Sequence, residues 1–495
     1  MSASKQKKLR QQQREQGVEK HQLARQEAEK KAKRSKIRNT IIGIIVALCV
    51  IAVILLNSNL LYRNFSAVTV GGESYNASEL SFFYNLEYSN FINQNSSALP
   101  YLGLDTSKSL KSQSYGEGQT WSDFFREAAG EYLHEVTMLT QEAQKAGFEM
   151  SEDDRAALEE ELSSLDTISV QSGYPNVDSF LAANYGKGCN YKLVSTLMEK
   201  IFVASAYAQY VNDSYEYSAG ELESQYLENK DSYDNYSFVS YYASGSADED
   251  ADEEKAMAEA KKLAESLIRD AETEDEFINK ASALSDSEVD VTKLQGSSLA
   301  SAYSEWMQDP ARKEGDKTVA EADNGYYALY FLSRDGNETK TVSARHILVY
   351  VEADDNGEYS NDAKTEAKKK AEDILSLWKS EEATEESFAA LANEYSDDTG
   401  SNTKGGLYEE FKLDSMVKEF NDWCFDKNRR SGDTGIVFND GSYTGYHIIY
   451  FVGEGRPYRE ILSDSALRNA DFTEWKTAAL ENYTVQWGFT SGLVS

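Results

Sequence analysis

An internal repeat in the second half of the chain constrains the fold more than any other feature. The matching segments are F-I-N-K-A-S-A-L-S-D-S (277–287) with F-A-A-L-A-N-E-Y-S-D-D (388–398), W-M-Q-D-P-A-R-K-E-G-D (306–316) with W-C-F-D-K-N-R-R-S-G-D (423–433), and N-G-Y-Y-A-L-Y-F (324–331) with T-G-Y-H-I-I-Y-F (444–451). They occur in the same order at offsets of 111, 117 and 120 residues. Small changes of offset are what loop insertions produce, so the chain carries two copies of one domain of about 110 residues.

The two copies differ in their histidines. The chain has only 4 histidines, and the second copy holds two of them, His346 on its first strand and His447 on its last. The first copy, residues 226–338, has none. Two such histidines, taken alone, are more often satisfied core residues than a site. Their paired presence in one copy and paired absence in the other favours a site that only the second copy keeps.

Each copy has the same predicted pattern of elements. An apolar strand, such as R-H-I-L-V-Y-V (345–351), leads to an Ala/Lys/Glu-rich helix and then to a shorter helix that ends at S-D. A Gly-containing loop, a helix with the Trp, G-D and a final pair of strands complete the pattern. This order predicts an α+β fold with a small antiparallel sheet in each copy, over residues 226–338 and 339–455.

A step in charge and hydropathy marks the N-terminal region. Residues 1–38 hold 13 Lys and Arg against 4 Glu, whereas the rest of the chain holds 37 basic against 80 acidic residues. Between these blocks, residues 40–56 are uninterruptedly apolar. The long basic leader and the lack of a small-residue cleavage site argue against a signal peptide. A lipoprotein signal is also disfavoured, because Cys49 lies in the middle of the apolar run. The step in charge on either side of the run argues against a buried core helix. We therefore predict a transmembrane anchor at 39–61, with the basic tail in the cytoplasm.

Composition excludes two classes of protein. The acidic portion after the anchor would repel phosphate, so we predict no binding to nucleic acid. With 3 cysteines in 495 residues, the chain is not a disulfide scaffold.

The remaining segments are predicted to be helical. Apolar residues recur at helical spacing across residues 62–225, for example at Phe124, Phe125, Leu133 and Val136, which indicates an all-α domain. Residues 456–495 are predicted to form a C-terminal helix that closes this domain.

The second copy resembles the parvulin family of peptidyl-prolyl cis–trans isomerases. The motifs that carry the resemblance are A-R-H-I-L-V (344–349), F-A-A-L-A-N-E-Y-S-D-D-T-G-S (388–401), G-G (405–406), M-V-K-E-F (416–420) and G-Y-H-I-I-Y-F (445–451). The resemblance implies that His346 and His447 lie side by side beneath the active site with Asp398 near them. It also implies an apolar cradle for the proline ring from Met416, Phe420 and Phe411. The chain departs from the family in G-G-L-Y-E-E-F (405–411), where Tyr408 replaces the usual Leu in the wall of the pocket.

These residue types suit the chemistry of an isomerase. Rotation about a prolyl bond crosses a barrier of roughly 20 kcal/mol and breaks no covalent bond. It therefore needs an apolar slot and a fixed polar floor rather than a nucleophile, and we predict no cofactor and no metal. The loop E-A-D-D-N-G-E (352–358) is acidic and lacks an Arg/Lys cluster, so phosphate-directed substrates are not expected.

The order of segments also resembles the extracytoplasmic foldases and periplasmic chaperones of bacteria. That resemblance implies an enzyme that is held to the cell membrane by one span and isomerises X-Pro bonds in unfolded or partly folded exported proteins. Two alternatives stay open. The first alternative is a holdase chaperone whose two parvulin-like domains are only binding scaffolds. The second is an extracellular structural or adhesive protein. The sequence does not indicate an oligomeric state or specific clients.

Overall fold

A computed structural model of the chain divides into two compact units. It describes residues 3–57, 59–246, 252–285, 287–354, 356–380 and 382–495, and for much of the N-terminal helix only the backbone is described. One unit comprises the residues up to Ser214 together with Asp471–Ser495, and the other comprises Tyr215–Ala470.

The first unit is mainly helical. Its elements up to Ser214 are α1 (Ala3–Asn57), α2 (Leu60–Asn64), β1 (Ser66–Val70), β2 (Glu73–Asn76), α3 (Ala77–Gln94), β3 (Ser114–Gly116), β4 (Gln119–Thr120), α4 (Trp121–Ala146), α5 (Glu152–Gln171), α6 (Val177–Tyr185) and α7 (Tyr191–Asp213). The sequence predicts this helical character but not the short hairpin of β3 and β4. Local signals fix the helix starts: Thr120 and Asp123 form a capping box at the start of α4.

The predicted membrane anchor falls on α1 and α2. Within the described residues, which leave out the side chains of residues 51–58, no helix has an apolar stretch long enough to cross a membrane. Part of the predicted span 39–61 thus lies outside the described residues.

The first repeat copy forms a four-stranded antiparallel sheet with helices. The elements of this part of the second unit are α8 (Ala219–Glu228), α9 (Lys230–Tyr233), β5 (Asn235–Ser244), α10 (Glu253–Asp270), α11 (Glu274–Leu284), β6 (Thr292–Gln295), α12 (Ser304–Gln308), β7 (Lys317–Ala322) and β8 (Gly325–Asp335). The strand order is β6-β5-β8-β7.

The second copy repeats this topology. Its elements are β9 (Lys340–Tyr350), α13 (Asn361–Ser380), α14 (Glu385–Tyr395), β10 (Leu407–Phe411), α15 (Lys418–Cys424), β11 (Thr434–Asn439) and β12 (Gly445–Pro457), followed by α16 (Tyr458–Leu480). The strand order, β10-β9-β12-β11, is the same as in the first copy. A mixed fold with small antiparallel sheets is thereby confirmed. The sequence misses β6 and β10, which lie in the predicted Gly-containing loops.

Both copies share one contact between a tryptophan and an arginine. The guanidinium of Arg312 lies 4.0 Å from the ring centre of Trp306, and that of Arg429 lies 3.7 Å from the ring centre of Trp423. In each copy the arginine Nε–H also donates to the carbonyl oxygen of its tryptophan. The repeated W…R spacing therefore encodes a cation–π contact that fixes the turn after the Trp helix.

The C-terminal segment differs from the continuous helix predicted for residues 456–495. Helix α16 ends at Leu480, and a further strand, β13 (Val485–Trp487), pairs antiparallel with β1 of the first unit. The resulting sheet has the order β13-β1-β2. The predicted helix is present as far as Leu480, and the sequence prediction is wrong only beyond that residue. The strand was missed because three residues have little periodicity and its partner lies more than 400 residues earlier in the chain.

Candidate active site

The central sheet of the second copy brings its two histidines together. His346 lies on β9 and His447 on β12, which are antiparallel neighbours. His346 stands opposite Ile449 and His447 stands opposite Leu348, so the histidines are diagonal neighbours on one face. Their rings lie 5.3 Å apart at an angle of 19°, and their Nδ1 atoms are 3.0 Å apart. The strand register thus explains why these two positions matter as a pair.

Hydrogen bonds extend from the histidine pair at both ends. His346 Nε2 lies 2.8 Å from Asp398 Oδ2, and the hydroxyl of Tyr443 lies 2.9 Å from His447 Nε2. His346 is 5% exposed and His447 is 2% exposed, so protein groups rather than bulk water must satisfy their nitrogens. The four side chains form a continuous chain of hydrogen bonds, Tyr443–His447–His346–Asp398, which we call the histidine row.

Two charge states in the histidine row follow from its surroundings. The hydrogen bond with His346 holds the pKa of Asp398 well below its usual range, and bonds from the Ser401 hydroxyl and the Gly400 N–H act in the same direction. The carboxylate is therefore charged and can only accept hydrogen bonds. Burial, together with the neighbouring His346, lowers the pKa of His447 to about 3. His447 is therefore neutral near pH 7.

These charge states restrict how protons are arranged in the row. When His346 is also neutral, its Nε2–H must donate to Asp398, because the carboxylate can only accept. His346 Nδ1 is then an acceptor for the Nδ1–H of His447, whose Nε2 accepts the hydroxyl proton of Tyr443. This assignment, inferred from the partners, satisfies every nitrogen in the row.

The loop after α14 positions Asp398. The backbone N–H of Asp397 donates to the carbonyl oxygen of Leu348 at 2.9 Å, which fixes this loop along the edge of β9. Asp398 Oδ2 then receives hydrogen bonds from the hydroxyls of Ser401, at 2.5 Å, and Tyr408, at 3.1 Å. The carboxylate is thus held by several donors, and Tyr408 is one of them rather than a simple replacement for an apolar wall residue.

Aromatic and apolar side chains cover the histidine pair. Phe420 on α15 is 2% exposed, and its ring stands nearly perpendicular to those of His346 and His447, with both centroid distances at 5.5 Å. Phe411 lies 5.9 Å from Phe420, and the half-buried Met416 packs in the same cluster. The structure therefore brings all seven site residues predicted from the sequence to one place.

A glycine allows the loop before β10 to approach the site. Gly406 has φ of +68°, and its carbonyl oxygen accepts the backbone N–H of His346 at 2.8 Å. A Cβ at Gly406 would lie 2.1 Å from the carbonyl oxygen of His346. The G-G motif is thus needed both for backbone conformation and for close contact with the strand that carries His346.

Sequence reasoning misses Tyr443 and Ser401 as site residues. Tyr443 lies four residues before His447, in a turn where no periodicity indicates which way a side chain points. Ser401 lies within the quoted motif 388–401, and its spacing of three from Asp398 suits a local hydrogen bond. That spacing is the one signal that could have identified it. Tyr443 could be recognised as a site residue only from the folded structure.

Metal binding is not indicated by the site. Among the described residues, no group of three or more His, Cys, Asp and Glu is arranged to hold a metal ion. The expectation of a site without metal or cofactor stays a prediction.

Comparison with known families agrees with this geometry. Residues 327–454 match the family model described as the PPIC-type PPIASE domain. The chain therefore contains a parvulin-type peptidyl-prolyl isomerase domain, and the resemblance inferred from its motifs is confirmed.

The chain is also similar to foldases of Bacillus cereus. It is 32% identical to foldase protein PrsA 1 over 130 residues, which are 26% of this chain and 37% of the relative. It is 42% identical to foldase protein PrsA 4 over 77 residues, 15% of this chain and 26% of the relative. The matched residues thus span between about a quarter and little more than a third of the length of these curated relatives.

Solved structures of related proteins give weaker likenesses. A crystal structure of PrsA from Bacillus subtilis is 15% identical, with 76% of this chain and 87% of that chain covered and a TM-score of 0.26. A peptidylprolyl isomerase, PrsA, from Bacillus anthracis is 22% identical, with 29% and 58% covered and a TM-score of 0.18.

Proposed function

We propose that the protein is a membrane-anchored extracytoplasmic foldase that isomerises X-Pro bonds in exported proteins. The observation that carries this proposal is the buried histidine row beneath the ring of Phe420. It supplies a rigid polar floor and an apolar wall within one small site. The isomerase domain supports the reaction class, whereas the location and the clients are inferences from the rest of the sequence.

The proposed mechanism uses the apolar wall to hold the proline ring. Met416, Phe420 and Phe411 would bind the pyrrolidine and exclude water from the prolyl amide. In the planar amide, resonance places partial negative charge on oxygen and partial positive charge on nitrogen. Rotation about the amide bond destroys this resonance. Exclusion of water removes the solvent that stabilises this charge separation, and so lowers the cost of the twisted state.

The polar floor would act through its fixed charge. The ionised Asp398, held by several donors, disfavours the charge-separated form of an amide whose carbonyl oxygen lies near it. The two histidines keep the carboxylate in place, and their rings form the bottom of the slot. This role is electrostatic and preorganised, and no proton leaves the substrate. We assign His346, His447 and Asp398 to this floor.

The proposed location follows from the N-terminal sequence. The basic residues 1–38 precede the apolar run 40–56, which is the arrangement of an anchor with a cytoplasmic N-terminus. The remainder of the chain would then face the outside of a bacterial cell. We expect the protein to stay in the membrane fraction during alkaline extraction. We also expect protease added to intact protoplasts to cleave its C-terminal part. Release by alkaline extraction would contradict the anchor.

A second candidate function is that of a non-catalytic holdase. The observation that favours it is the first copy, which keeps the fold of the isomerase domain but has no histidine. In this case both copies would bind unfolded chains, and the histidine row would only stabilise the second copy.

Refolding kinetics distinguish the two candidates. A test protein whose refolding is limited by X-Pro isomerisation is refolded with the full chain at one part in fifty. An isomerase accelerates the slow phase at this ratio because each molecule acts repeatedly. A holdase suppresses aggregation only near equal concentrations and leaves the slow phase unchanged. An unchanged slow phase at every ratio would therefore overturn the catalytic proposal.

A further inference from the structure

The first copy holds different side chains at the positions of the histidine row. Ser240 stands opposite Leu329, as His346 stands opposite Ile449, and Leu329 and Ile449 are equivalent at the offset of 120. Ser240 is therefore the counterpart of His346. By the offsets of the repeat, the counterparts of His447 and Asp398 are Tyr327 and Ser287. The first copy thus lacks the charged and imidazole groups of the floor.

The aromatic arrangement persists despite this loss. Tyr303, the counterpart of Phe420, makes an edge-to-face contact with Tyr327 at 5.1 Å and 78°. Phe420 contacts His447 in the second copy in the same way, at 5.5 Å and 76°. Tyr327 therefore occupies the ring position of His447 relative to the wall. Leu299, the counterpart of Met416, and the buried Met307 complete the apolar surroundings.

Two of the tyrosine rings in this place, Tyr242 and Tyr327, are at least partly accessible to solvent. Tyr242 lies 4.8 Å from Tyr327 and is 40% exposed, and Tyr327 is half-buried. Ser240 beside them is also half-buried, whereas its counterpart His346 is 5% exposed. The exchange of a large ring for a small hydroxyl thus accompanies a greater exposure of this position. We define the tyrosine face as the exposed Tyr242, the half-buried Tyr327 and the buried Tyr303, which is 7% exposed.

We propose that the tyrosine face is a binding site for extended, proline-containing peptide segments, which it holds without isomerising them. Exposed aromatic rings are the surfaces on which proline rings pack when polyproline II segments bind, and tyrosine hydroxyls at the rim can donate to peptide carbonyls. The face lies at the place in the fold where the second copy forms its proline slot. The counterparts of His346, His447 and Asp398 are Ser240, Tyr327 and Ser287, so at these described positions no carboxylate or imidazole forms a polar floor.

This inference deepens the proposed function and rests on it for the nature of the client. Strand β8 ends at Asp335 and β9 begins at Lys340, so the two copies are joined by a very short connection. A client segment held by the first copy would raise the effective concentration of neighbouring X-Pro bonds at the second copy. The first copy would thereby favour clients with several prolines.

Photo-crosslinking locates bound peptide on the full chain. The probe is a decapeptide of alternating alanine and proline with a benzophenone at one end, and the control peptide has serine for every proline. We expect cross-links to the proline peptide within both 235–335 and 340–457, and fewer with the serine peptide. Cross-links confined to 340–457, or equal labelling by both peptides, would overturn the proposal.

Paired substitutions test the tyrosine rings themselves. The Tyr242→Ala/Tyr327→Ala variant should lose about tenfold of the labelling within 235–335, whereas Tyr242→Phe/Tyr327→Phe, which keeps the rings, should retain it. Because the double alanine variant could misfold, the half-exposed Tyr242→Ala alone provides a second test, with an expected loss of about threefold. Unchanged labelling in a folded alanine variant would contradict the proposal.

The result of the cross-linking experiment does not depend on whether the chain is an active isomerase. Isomerase activity of the unsubstituted chain is measured separately. An inactive chain that still cross-links within 235–335 would overturn the proposed catalysis and leave this inference standing. An active chain without such cross-links would do the reverse.

Discussion

His346 and His447 meet through their Nδ1 atoms, 3.0 Å apart, on neighbouring strands of a sheet whose register makes them diagonal neighbours. Because both rings are buried, each nitrogen depends on a protein partner, and the pair is stable only as part of a longer row that ends at Tyr443 and Asp398. This dependence links the protonation of the site to the stability of the domain that contains it.

The low pKa of His447 predicts how stability depends on pH. The folded chain protonates His447 only near pH 3, whereas an unfolded histidine does so near its ordinary value of 6.5. Below pH 6.5 the unfolded state therefore binds more protons, and falling pH favours it by up to about 1.4 kcal/mol per pH unit. Urea unfolding between pH 6.5 and 4.5 should show the wild type losing stability faster than His447→Gln. Parallel losses would contradict the assigned environment.

Removal of the Tyr443 hydroxyl should disturb the row from its far end. Tyr443→Phe leaves the buried Nε2 of His447 without a donor, at a cost of about 1–2 kcal/mol in the free energy of unfolding. Nitrogen chemical shifts of His447, measured by NMR, should move toward a mixture of tautomers. Tyr446→Phe, a neighbour whose hydroxyl is not in the row, serves as the control and should leave these shifts unchanged. A single unchanged tautomer in Tyr443→Phe would contradict the row.

Close approach of Gly406 to the strand of His346 predicts a specific defect. Gly406→Ala places a Cβ 2.1 Å from the carbonyl oxygen of His346, and a left-handed conformation costs a further 1–2 kcal/mol, roughly. Gly357→Ala has a similar φ, +82°, with no atom near its Cβ. We expect Gly406→Ala to lose most isomerase activity and Gly357→Ala to keep it. Equal activity in both would show that the contact with β9 is unimportant.

The repeated contact of arginine with tryptophan predicts equal effects in the two copies. Arg429→Lys and Arg312→Lys keep the charge but lose the planar guanidinium that covers Trp423 and Trp306. Each should lower the free energy of unfolding by about 1 kcal/mol in urea titrations. A loss confined to one copy would mean that the contact does not have the same role in both.

The internal repeat predicted the shared fold of the two copies and the two site histidines, whereas the resemblance to the parvulin family supplied Asp398 and the apolar cradle. Repeated residues such as Trp306 and Trp423 indicated that the two copies share one fold. The positions at which the copies differ, His346 and His447, indicated the site. Each of these signals is a comparison of the chain with itself. The strand order within each sheet was not predicted from the sequence and required the structure.

Other features required tertiary structure. Tyr443 joins the site because a turn folds its ring over His447, and sequence spacing does not encode that direction. Strand β13 forms because β1 offers it an unpaired edge, and only the folded first unit brings the two together. Tyr408 was expected as a change in the wall, but its hydroxyl reaches Asp398, which its residue type alone did not specify.

The most direct test of the central claim compares two methionines in an isomerase assay. The assay measures kcat/KM for cis–trans isomerisation of an Ala-Pro peptide by the full chain. Met416 lies in the proposed proline slot, whereas Met257 is equally half-buried in the first copy, in a cluster away from the tyrosine face. We predict that Met416→Ala lowers kcat/KM by about tenfold or more, while Met257→Ala leaves it within about twofold of the wild type. A wild-type chain no faster than the uncatalysed reaction, or a fully active Met416→Ala variant, would contradict the account.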